Sequence, residues 1–328
     1  MAHPRGSTGG LSRRTVLRAA GGVAATAATL GAGSLLGGAA EAAIPSSPYF
    51  DLTKPSYDLF RGKLLHESHH AMQGFAFDNV NRRLFVAQMR NGSSGDDLCI
   101  NQIGFDGKRL GSMHLDKAGH GVSIGVEAVG ASSYLWVECD SHRADADGRG
   151  TALARFKFVN GAKPSVKKFL TGSKTITCAT DPVYKRLAVR RNENGKMHYS
   201  VYNLADAAAG HFDKPLAHFA QPALDDSPVT FQGYTILGRY LYTLDGTGHA
   251  DAKDIDSYVT RIDMNTGKVV SRFLTKAGKS LTFREPEGMA VYRTAGGQTR
   301  LFFGFASRSS LGNIDRYANI FYKNVLVG

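Results

Sequence analysis

The sequence predicts an all-β fold, a five-bladed β-propeller, from three observations: a recurring segment, its even spacing, and four strand-like runs in each repeat. The segment has a polar residue, in most copies a glycine, and then two apolar runs around a turn, as in "QGFAFDNVNRRLFVAQ". Its five copies begin 47, 56, 56 and 55 residues apart, at Gln73, His120, Ile176, Gln232 and Glu287. Repetition at an interval of this length is typical of propeller blades.

Each repeat continues with two further strand-like runs around a Gly or Asn-Gly turn, as in "TALARFKFVNGAKPSVKKFL". Alternating apolar residues and turn residues at these positions predict antiparallel strands, and four such strands make one blade. A β-sandwich is the competing all-β fold, but it does not explain the spacing. Only "LADAAAGHF" has the composition of a short helix after residue 44.

The two chain ends predict how the propeller closes. The last repeat finishes at "ANIFYKNVLVG", one strand short of a blade, while "SYDLFRGKLLHE" near the N-terminus resembles the fourth strands of the other repeats. We therefore expect the N-terminal strand to complete the last blade, which leaves no exposed sheet edge.

Residues 1–43 differ in composition from the rest and predict a twin-arginine export signal. Arg13 and Arg14 precede an Ala/Gly-rich apolar stretch, and small residues at 40–42 offer a cleavage site. We expect residues 44–328 to form one propeller domain that is secreted, extracellular or associated with the cell wall. A retained membrane anchor is the alternative. No other apolar run is long enough to span a membrane.

Charge points to the class of partner. The first 43 residues hold four arginines and one glutamate, so removing them lowers the net charge from +12 to +9. Such an excess suits an anionic glycopolymer or polysaccharide. Nucleic acid is the other interpretation, but export and the lack of an aromatic RNA-binding motif argue against it. We expect a monomer.

The cysteine pattern limits the covalent chemistry. The chain has three cysteines and no CxxC spacing, so at most one disulfide forms and buried free thiols are favoured.

Loop lengths indicate which face of the propeller carries the site. The loops between second and third strands are long and polar, whereas the turns after first and third strands are mostly short. In a propeller these long loops lie on the face where the innermost strands begin. Binding sites usually lie on long loops of a rigid scaffold, so we expect a site at the central mouth of this face.

The candidate residues come from the strand ends and loops at that mouth. Arginines among them suit a phosphate or carboxylate group. The candidate ligand-binding residues are His66, Gln73, Gln88, Glu138, Arg190, Gln232, Asp245 and Arg284. The candidate catalytic residues are His70, His120, Tyr234, Glu285 and Glu287.

Two enzymatic mechanisms are open for these residues. In a polysaccharide lyase, Arg190 or Arg284 would neutralise a uronate. His70 or His120 would then act as the base, and Tyr234 as the acid. A glycoside hydrolase would need two carboxylates about 5–10 Å apart. Its candidates are Glu138, Asp245, Glu285 and Glu287. A purely structural interaction protein is the third possibility.

The sequence predicts no metal and no cofactor. The histidine-rich "HESHH" (66–70) matches neither the helical zinc protease motif nor a zinc finger, so a solvated loop is favoured. Calcium or another divalent cation is the less favoured alternative, because the acid-rich "DGTGHADAKDID" offers oxygen ligands.

Several segments carry a family resemblance. "QGFAFDNVNRRLFVAQ", "TDPVYKRLAV", "FREPEGM" and "ANIFYKN" resemble actinobacterial proteins called teichoic acid biosynthesis protein C, which are similar to the propeller of some phage receptor-binding proteins. The resemblance runs from about Phe50 to Val327. It implies a five-bladed propeller and a link to glycopolymers of the cell wall. We therefore hypothesise an exported propeller that recognises, and in one version also processes, an anionic or polyhydroxylated glycopolymer, with a lyase or glycoside hydrolase as the alternative.

Overall fold

The structure is a computed structural model. It describes residues 43–92, 96–141, 148–224, 230–250 and 254–328. Residues 1–42 of the predicted export signal, which spans 1–43, lie outside the described residues.

Five four-stranded antiparallel sheets follow one another along the chain, as the repeats predict. Blade 1 comprises β3 (Met72–Asp78), β4 (Arg83–Met89), β5 (Leu98–Ile103) and β6 (Arg109–Leu115). Blade 2 comprises β7 (Gly125–Val129), β8 (Ser132–Cys139), β9 (Ala152–Lys157) and β10 (Lys167–Phe169). Blade 3 comprises β11 (Ile176–Asp181), β12 (Arg186–Glu193), β13 (Lys196–Asn203), the helix α1 (Leu204–Ala209) and β14 (Ala217–Ala220). Blade 4 comprises β15 (Phe231–Leu237), β16 (Tyr240–Asp245), β17 (Tyr258–Asp263) and β18 (Lys268–Leu274).

The N-terminal strand completes blade 5, which confirms the predicted closure. This blade consists of β19 (Thr282–Arg293), β20 (Thr299–Arg308), β21 (Tyr317–Lys323) and β2 (Tyr57–Leu64). In the pairing of β2 with β21, Tyr57 lies opposite Tyr322 and Leu64 opposite Tyr317. A second pairing, of β1 (Tyr49–Phe50) with β22 (Leu326–Val327), joins the two ends again.

The hydrophobic core is divided into five clusters, one between each pair of neighbouring blades. Both faces of the inner strands are buried, so β3 has no exposed position. The ring of Phe77 in blade 1, for example, lies 4.7 Å from that of Phe302 in blade 5. The three cysteines lie in this core as free thiols, and burial raises the pKa of Cys139 to about 12. No helix within the described ranges has the length and apolar composition needed to cross a membrane.

Glycines bring the backbones of three inner strands into contact at the axis. A methyl group at Gly74 would lie 2.6 Å from the carbonyl oxygen of Gly121, and one at Gly288 would lie 2.6 Å from the Cα of Gly74. A methyl group at Gly233 would lie 2.9 Å from the Cα of Gly288. These distances are too short for any side chain, so the repeated glycine is required by the close approach of the blades.

The inner strand of blade 2 begins later in its repeat than the inner strands of the other blades. It begins at Gly125, five residues after the start of the repeat at His120. The intervening segment does not pair with β8, because the side chain of Glu138 accepts the backbone N–H groups of His120 and Gly121 instead. The segment runs across the axis, where the Ser123 hydroxyl accepts the backbone N–H of Tyr234 in blade 4.

The axial contacts make a prediction about stability. We expect Gly288→Ala to lower the free energy of unfolding by about 3 kcal/mol or more, since it combines a left-handed φ of 77° with a clash against backbone. Gly130→Ala is the matched control, because Gly130 has a φ of 56° and no atom within 4 Å of an added methyl group. It should cost about 1 kcal/mol. Urea-induced unfolding measures both, and equal losses would contradict contact at the axis.

Candidate functional site

The long loops and the starts of the inner strands lie on one face, which we call the long-loop face. In blade 1, Met72 at the start of β3 pairs with Gln88 at the end of β4, so the loop after β4 lies beside the start of β3. The loop that enters blade 1, residues 65–71, lies on the same face. This arrangement follows from the antiparallel order of the strands.

The first polar residue of three repeats sits in a β-bulge at this mouth. The register shifts between Met72 and Gly74, between Phe231 and Gly233, and between Pro286 and Met289. Gln73, Gln232 and Glu287 are therefore extra residues just before the axial glycines. Bulges of this kind redirect side chains and often lie beside functional sites.

Glu287 is a buried carboxylic acid without a hydrogen-bond partner among the described residues. Its exposed fraction is 3%. Burial raises the pKa of Glu287 well above its ordinary value, the nearby Glu285 carboxylate raises it further, and the positive charge of Arg149 opposes the rise. A pKa raised in this way is typical of carboxyl groups that act as acids or as hydrogen-bond donors.

Glu285 and His70 form the neighbouring part of the mouth, where blades 5 and 1 meet. Burial raises the pKa of Glu285, against the charges of Arg316 and Arg308. Burial also lowers the pKa of His70, which favours the neutral imidazole that a general base needs. Arg316 acts on both groups electrostatically, so the three side chains share one region.

Arg149 is a functional candidate that the sequence reasoning missed. Its side chain is half-buried and forms no hydrogen bond or ion pair with any residue in the described ranges. Its charge lowers the pKa of Glu138 in blade 2 and of Glu287 in blade 5. It also lowers the pKa of Arg190 in blade 3. Its charge acts on groups in three blades, and the next residue, Gly150, donates its backbone N–H to Glu138 at the mouth, so we place Arg149 at the mouth. The sequence feature that could have identified Arg149 is its position between two glycines in the longest polar loop.

Arg190 is the second cation of the mouth. Its guanidinium stacks on the ring of Phe231 at 3.8 Å, and its Nε donates to the side-chain oxygen of Gln221 at 2.7 Å. Burial lowers the pKa of Arg190. Within the described part of the chain it has no carboxylate partner, so its charge is left to act on the mouth.

Three candidates at the ends of second strands hold loops in place. Gln88 donates to the backbone carbonyls of Glu67 (2.6 Å) and His70 (2.7 Å). Glu138 accepts a third backbone N–H from Gly150 at 2.6 Å, and burial raises its pKa. Asp245 forms a bidentate ion pair with Arg272, at 2.6 and 2.7 Å. The amide of Gln88 and the carboxylate oxygens of Glu138 and Asp245 are occupied by these contacts.

Two further candidates lie inside the packed structure rather than at the mouth. The hydroxyl of Tyr234 is buried and donates to the carbonyls of Thr177 (3.0 Å) and Ala188 (3.1 Å). The guanidinium of Arg284 faces the ring of Phe305 at 3.8 Å, and burial lowers its pKa to about 10. It donates to Ala277 O, Ser257 Oγ and Thr275 O. Neither residue is therefore part of the proposed site.

The two remaining histidines are separated. His120 is half-buried at the axial end of blade 2, where its backbone N–H is held by Glu138. His66 lies at the periphery, with its ring 5.7 Å from that of His114 on the outer strand β6. The structure thus gathers at or beside the mouth a smaller set than the sequence suggested, with one addition. That set is His70, Gln73, His120, Arg149, Arg190, Gln232, Glu285 and Glu287.

The five-bladed propeller agrees with a match to a family of known proteins. Residues 71–322 match the family described as the phage 5-bladed beta propeller receptor binding platform domain, and the chain belongs to this family.

Two relatives extend this assignment. A protein of Bacillus subtilis (strain 168), whose name, major teichoic acid biosynthesis protein C, is itself provisional, is 28% identical over 299 residues, or 84% of this chain. The chain spans 65% of that relative's length. The tail fiber of Staphylococcus aureus phage P68 has a TM-score of 0.68 and 18% identity, over 84% of this chain and 54% of the fiber chain. That likeness shows the fold.

A weaker structural likeness is to a GH43 protein. A mutant of the GH43 protein BlXynB from Bacillus licheniformis has a TM-score of 0.44 and 10% identity, over 81% of this chain and 54% of its own. A likeness this weak carries no argument about activity.

The two buried carboxylates at this face predict opposite effects on stability. A glutamate in the unfolded chain has a pKa of about 4.3. Because the pKa of Glu287 is raised in the folded state, its stabilising contribution is complete below that pH and is lost as the pH rises toward the folded pKa. We expect Glu287→Gln to be more stable than the wild type from about pH 5 upward, with no difference near pH 4.

Asp245→Asn is the matched comparison, since it removes one charge of a buried ion pair and leaves Arg272 without its carboxylate. It should lose about 3–5 kcal/mol at pH 7. Denaturant unfolding across pH measures both variants. A Glu287→Gln protein that is destabilised at pH 8 would show that a favourable charge partner holds this carboxylate.

Proposed function

We propose that this chain is an exported propeller that binds an anionic or polyhydroxylated glycopolymer of the teichoic acid type at the mouth of the long-loop face. The observation that carries the proposal is Arg149, a half-buried guanidinium at the mouth that has no hydrogen-bond or ion-pair partner among the described residues. A partly buried cation of this kind is well suited to a phosphate or carboxylate, because charge-assisted hydrogen bonds are stronger than neutral ones.

The residues around Arg149 suit a sugar-phosphate chain. Arg190 adds a second cation that is already fixed by its stacking on Phe231. The amides of Gln73 and Gln232 can donate to and accept from hydroxyl groups. The carboxyl of Glu287, whose pKa is raised by burial, adds a further polar group at the base of the mouth. The net charge of +9 on residues 44–328 favours an anionic partner over longer distances.

The family and its named relative support the choice of polymer. The family is described as a receptor binding platform, and the relative is named for teichoic acid biosynthesis. A propeller that recognises a wall glycopolymer agrees with both descriptions.

Cleavage of such a polymer is the second candidate function, and Glu285 with Glu287 favours it. They are two carboxyl groups whose pKa values are both raised by burial, and the charge of Glu285 raises the pKa of Glu287 further. Such a pair can divide the roles of acid and base in a hydrolase. A lyase would rely on Arg190 or Arg149 with His70. Among the acids considered for a hydrolase, Glu138 and Asp245 are engaged in holding loops and in an ion pair.

The first test measures binding. We expect the purified chain to co-sediment with cell walls that carry poly(glycerol phosphate) teichoic acid, and to bind walls stripped of it more weakly. Arg149→Gln should reduce affinity by about 10- to 100-fold, because it removes a charged hydrogen-bonding group. Lys268→Gln removes the same charge from an exposed position on the opposite face and should leave affinity unchanged. Binding should weaken as salt rises.

Parallel incubations with uronate polysaccharides and with neutral plant glycans separate the alternatives, because poly(glycerol phosphate) has neither a uronate nor a glycosidic bond in its backbone. New absorbance near 235 nm, which marks an unsaturated uronate, would identify a lyase, and reducing ends without it would identify a hydrolase. Cleavage of either kind should disappear in Glu287→Gln or Glu285→Gln. Retention without cleavage supports a binding protein. Equal losses in Arg149→Gln and Lys268→Gln would contradict a site at the mouth.

Export is tested independently of binding. We expect Arg13→Lys combined with Arg14→Lys to hold the unprocessed chain in the cytoplasm, because the twin-arginine route reads this pair. Fractionation followed by immunoblotting measures the outcome. A single Lys substitution at Arg5, outside the pair, is the control. Undiminished secretion of the double variant would remove the basis for an exported protein.

A further inference from the structure

The histidine-rich loop 66–70 meets a third ligand that the sequence does not place near it. The Nε2 atom of His114, on the outer strand β6, lies 3.0 Å from Oε1 of Glu67. The ring of His66 packs against that of His114 in an edge-on arrangement. One ligand atom from each of these three residues lies within 4.8 Å of the other two.

Glu67 is a buried carboxylate with little to balance its charge. Its exposed fraction is 5%, its Oε2 atom accepts the backbone N–H of Asn91 at 3.0 Å, and the buried thiol of Cys99 also hydrogen-bonds to this carboxylate. In the described ranges its ion-pair partner is the imidazole of His114, and no lysine or arginine forms an ion pair with it. Buried carboxylates are normally paired with a cation or bound to a metal.

The backbone at His66 and Glu67 is held in place by hydrogen bonds to buried side chains. The buried side chain of Asn101 accepts the N–H of His66 at 2.9 Å, and that of Gln88 accepts the N–H of Glu67 at 3.0 Å. Ser112 Oγ lies 3.5 Å from Nδ1 of His66, which places a polar group beside this ring. Outer contacts of this type orient the ligands of metal sites before the metal binds.

We propose that His66, Glu67 and His114 bind a divalent transition-metal ion of the zinc type, with a fourth coordination position open to water. Two imidazoles and one carboxylate with an open position are an established zinc ligand set. His66 is exposed, so its ring is free to move the short distance that closes the spacing to coordination range. This inference replaces our expectation of a protein without a metal, and it does not depend on the proposed function.

The ion would fasten the closure of the propeller. Residues 65–71 connect β2, the strand that completes blade 5, to β3 at the start of blade 1. A metal held by this connection and by β6 would tie the closing strand to the neighbouring blade.

The chain contains a matched control cluster. Glu193, His198 and His218 also bring two imidazoles and a carboxylate together. There, however, Oε1 of Glu193 is already paired with Nε of Arg191 at 2.6 Å, and this guanidinium repels a metal cation. We therefore expect the first cluster to bind the ion and the second not to bind it.

The test is titration of the full chain with Co²⁺, whose visible absorption reports its coordination, followed by displacement with Zn²⁺. We expect one Co²⁺ per chain, with binding weakened at least ~10-fold in His114→Ala or His66→Ala and unchanged in His218→Ala. Binding should weaken in acid, because protons compete with the metal for its ligand atoms. Zn²⁺ should raise the unfolding temperature of the wild type but not that of His114→Ala.

A ligand exchange guards against a variant that merely unfolds. His114→Cys supplies a thiolate in place of the imidazole and should bind Co²⁺ with a new sulfur-to-metal charge-transfer band. Absence of that band in a folded His114→Cys protein would overturn the proposal. So would a wild type that binds no Co²⁺ at micromolar concentration, or binding that is lost in His218→Ala.

Discussion

The contact of inner-strand backbones at the axis is the constraint on which the rest of this structure depends. Gly74, Gly233 and Gly288 allow blades 1, 4 and 5 to touch without side chains between them. Because each glycine is preceded by a bulged residue, the same constraint places Gln73, Gln232 and Glu287 at the mouth. The spacing of the repeats and the composition of the site thus have one physical origin. The backbones close the axis at the level of the glycines, which form the floor of the mouth.

Polar residues near the mouth fall into two groups with different physical roles. The side chains of Gln88 and Glu138 are hydrogen-bonded to loops, and that of Asp245 forms an ion pair. These contacts fix the shape of the long-loop face. Glu287 and Arg149 are left without such partners among the described residues, although both are at least partly buried. Leaving polar groups unpaired costs stability, and proteins commonly accept that cost where a ligand binds. The contrast between the groups is the reason we place binding at Arg149 and Glu287.

The fold could be predicted from the sequence almost completely, whereas the site could be predicted only in outline. Five even repeats and an unpaired strand at each chain end specify blade number and closure, because they depend on local pattern alone. Whether a polar side chain is free or engaged depends on partners far along the chain. Arg284 and Tyr234 have the right position in their repeats. Their side chains, however, are hydrogen-bonded to the backbone carbonyls of Thr275 and Ala188, and the spacing of the repeats does not reveal these contacts. His114 lies 47 residues from Glu67 and meets it only because β6 is the outer strand of blade 1.

The pairing of β2 with β21 determines when the ring of blades can close during folding. These strands are joined at Tyr57 and Tyr322, nearly the full length of the propeller apart in sequence. Loop-closure entropy opposes such distant pairing until the intervening blades have formed, and folds rich in non-local contacts assemble slowly. Before the last repeat has been synthesised, β2 has no partner and blades 1 and 4 each lack a neighbour. A nascent or truncated chain therefore exposes strand edges and apolar blade faces that the complete ring conceals, and such surfaces invite association between chains.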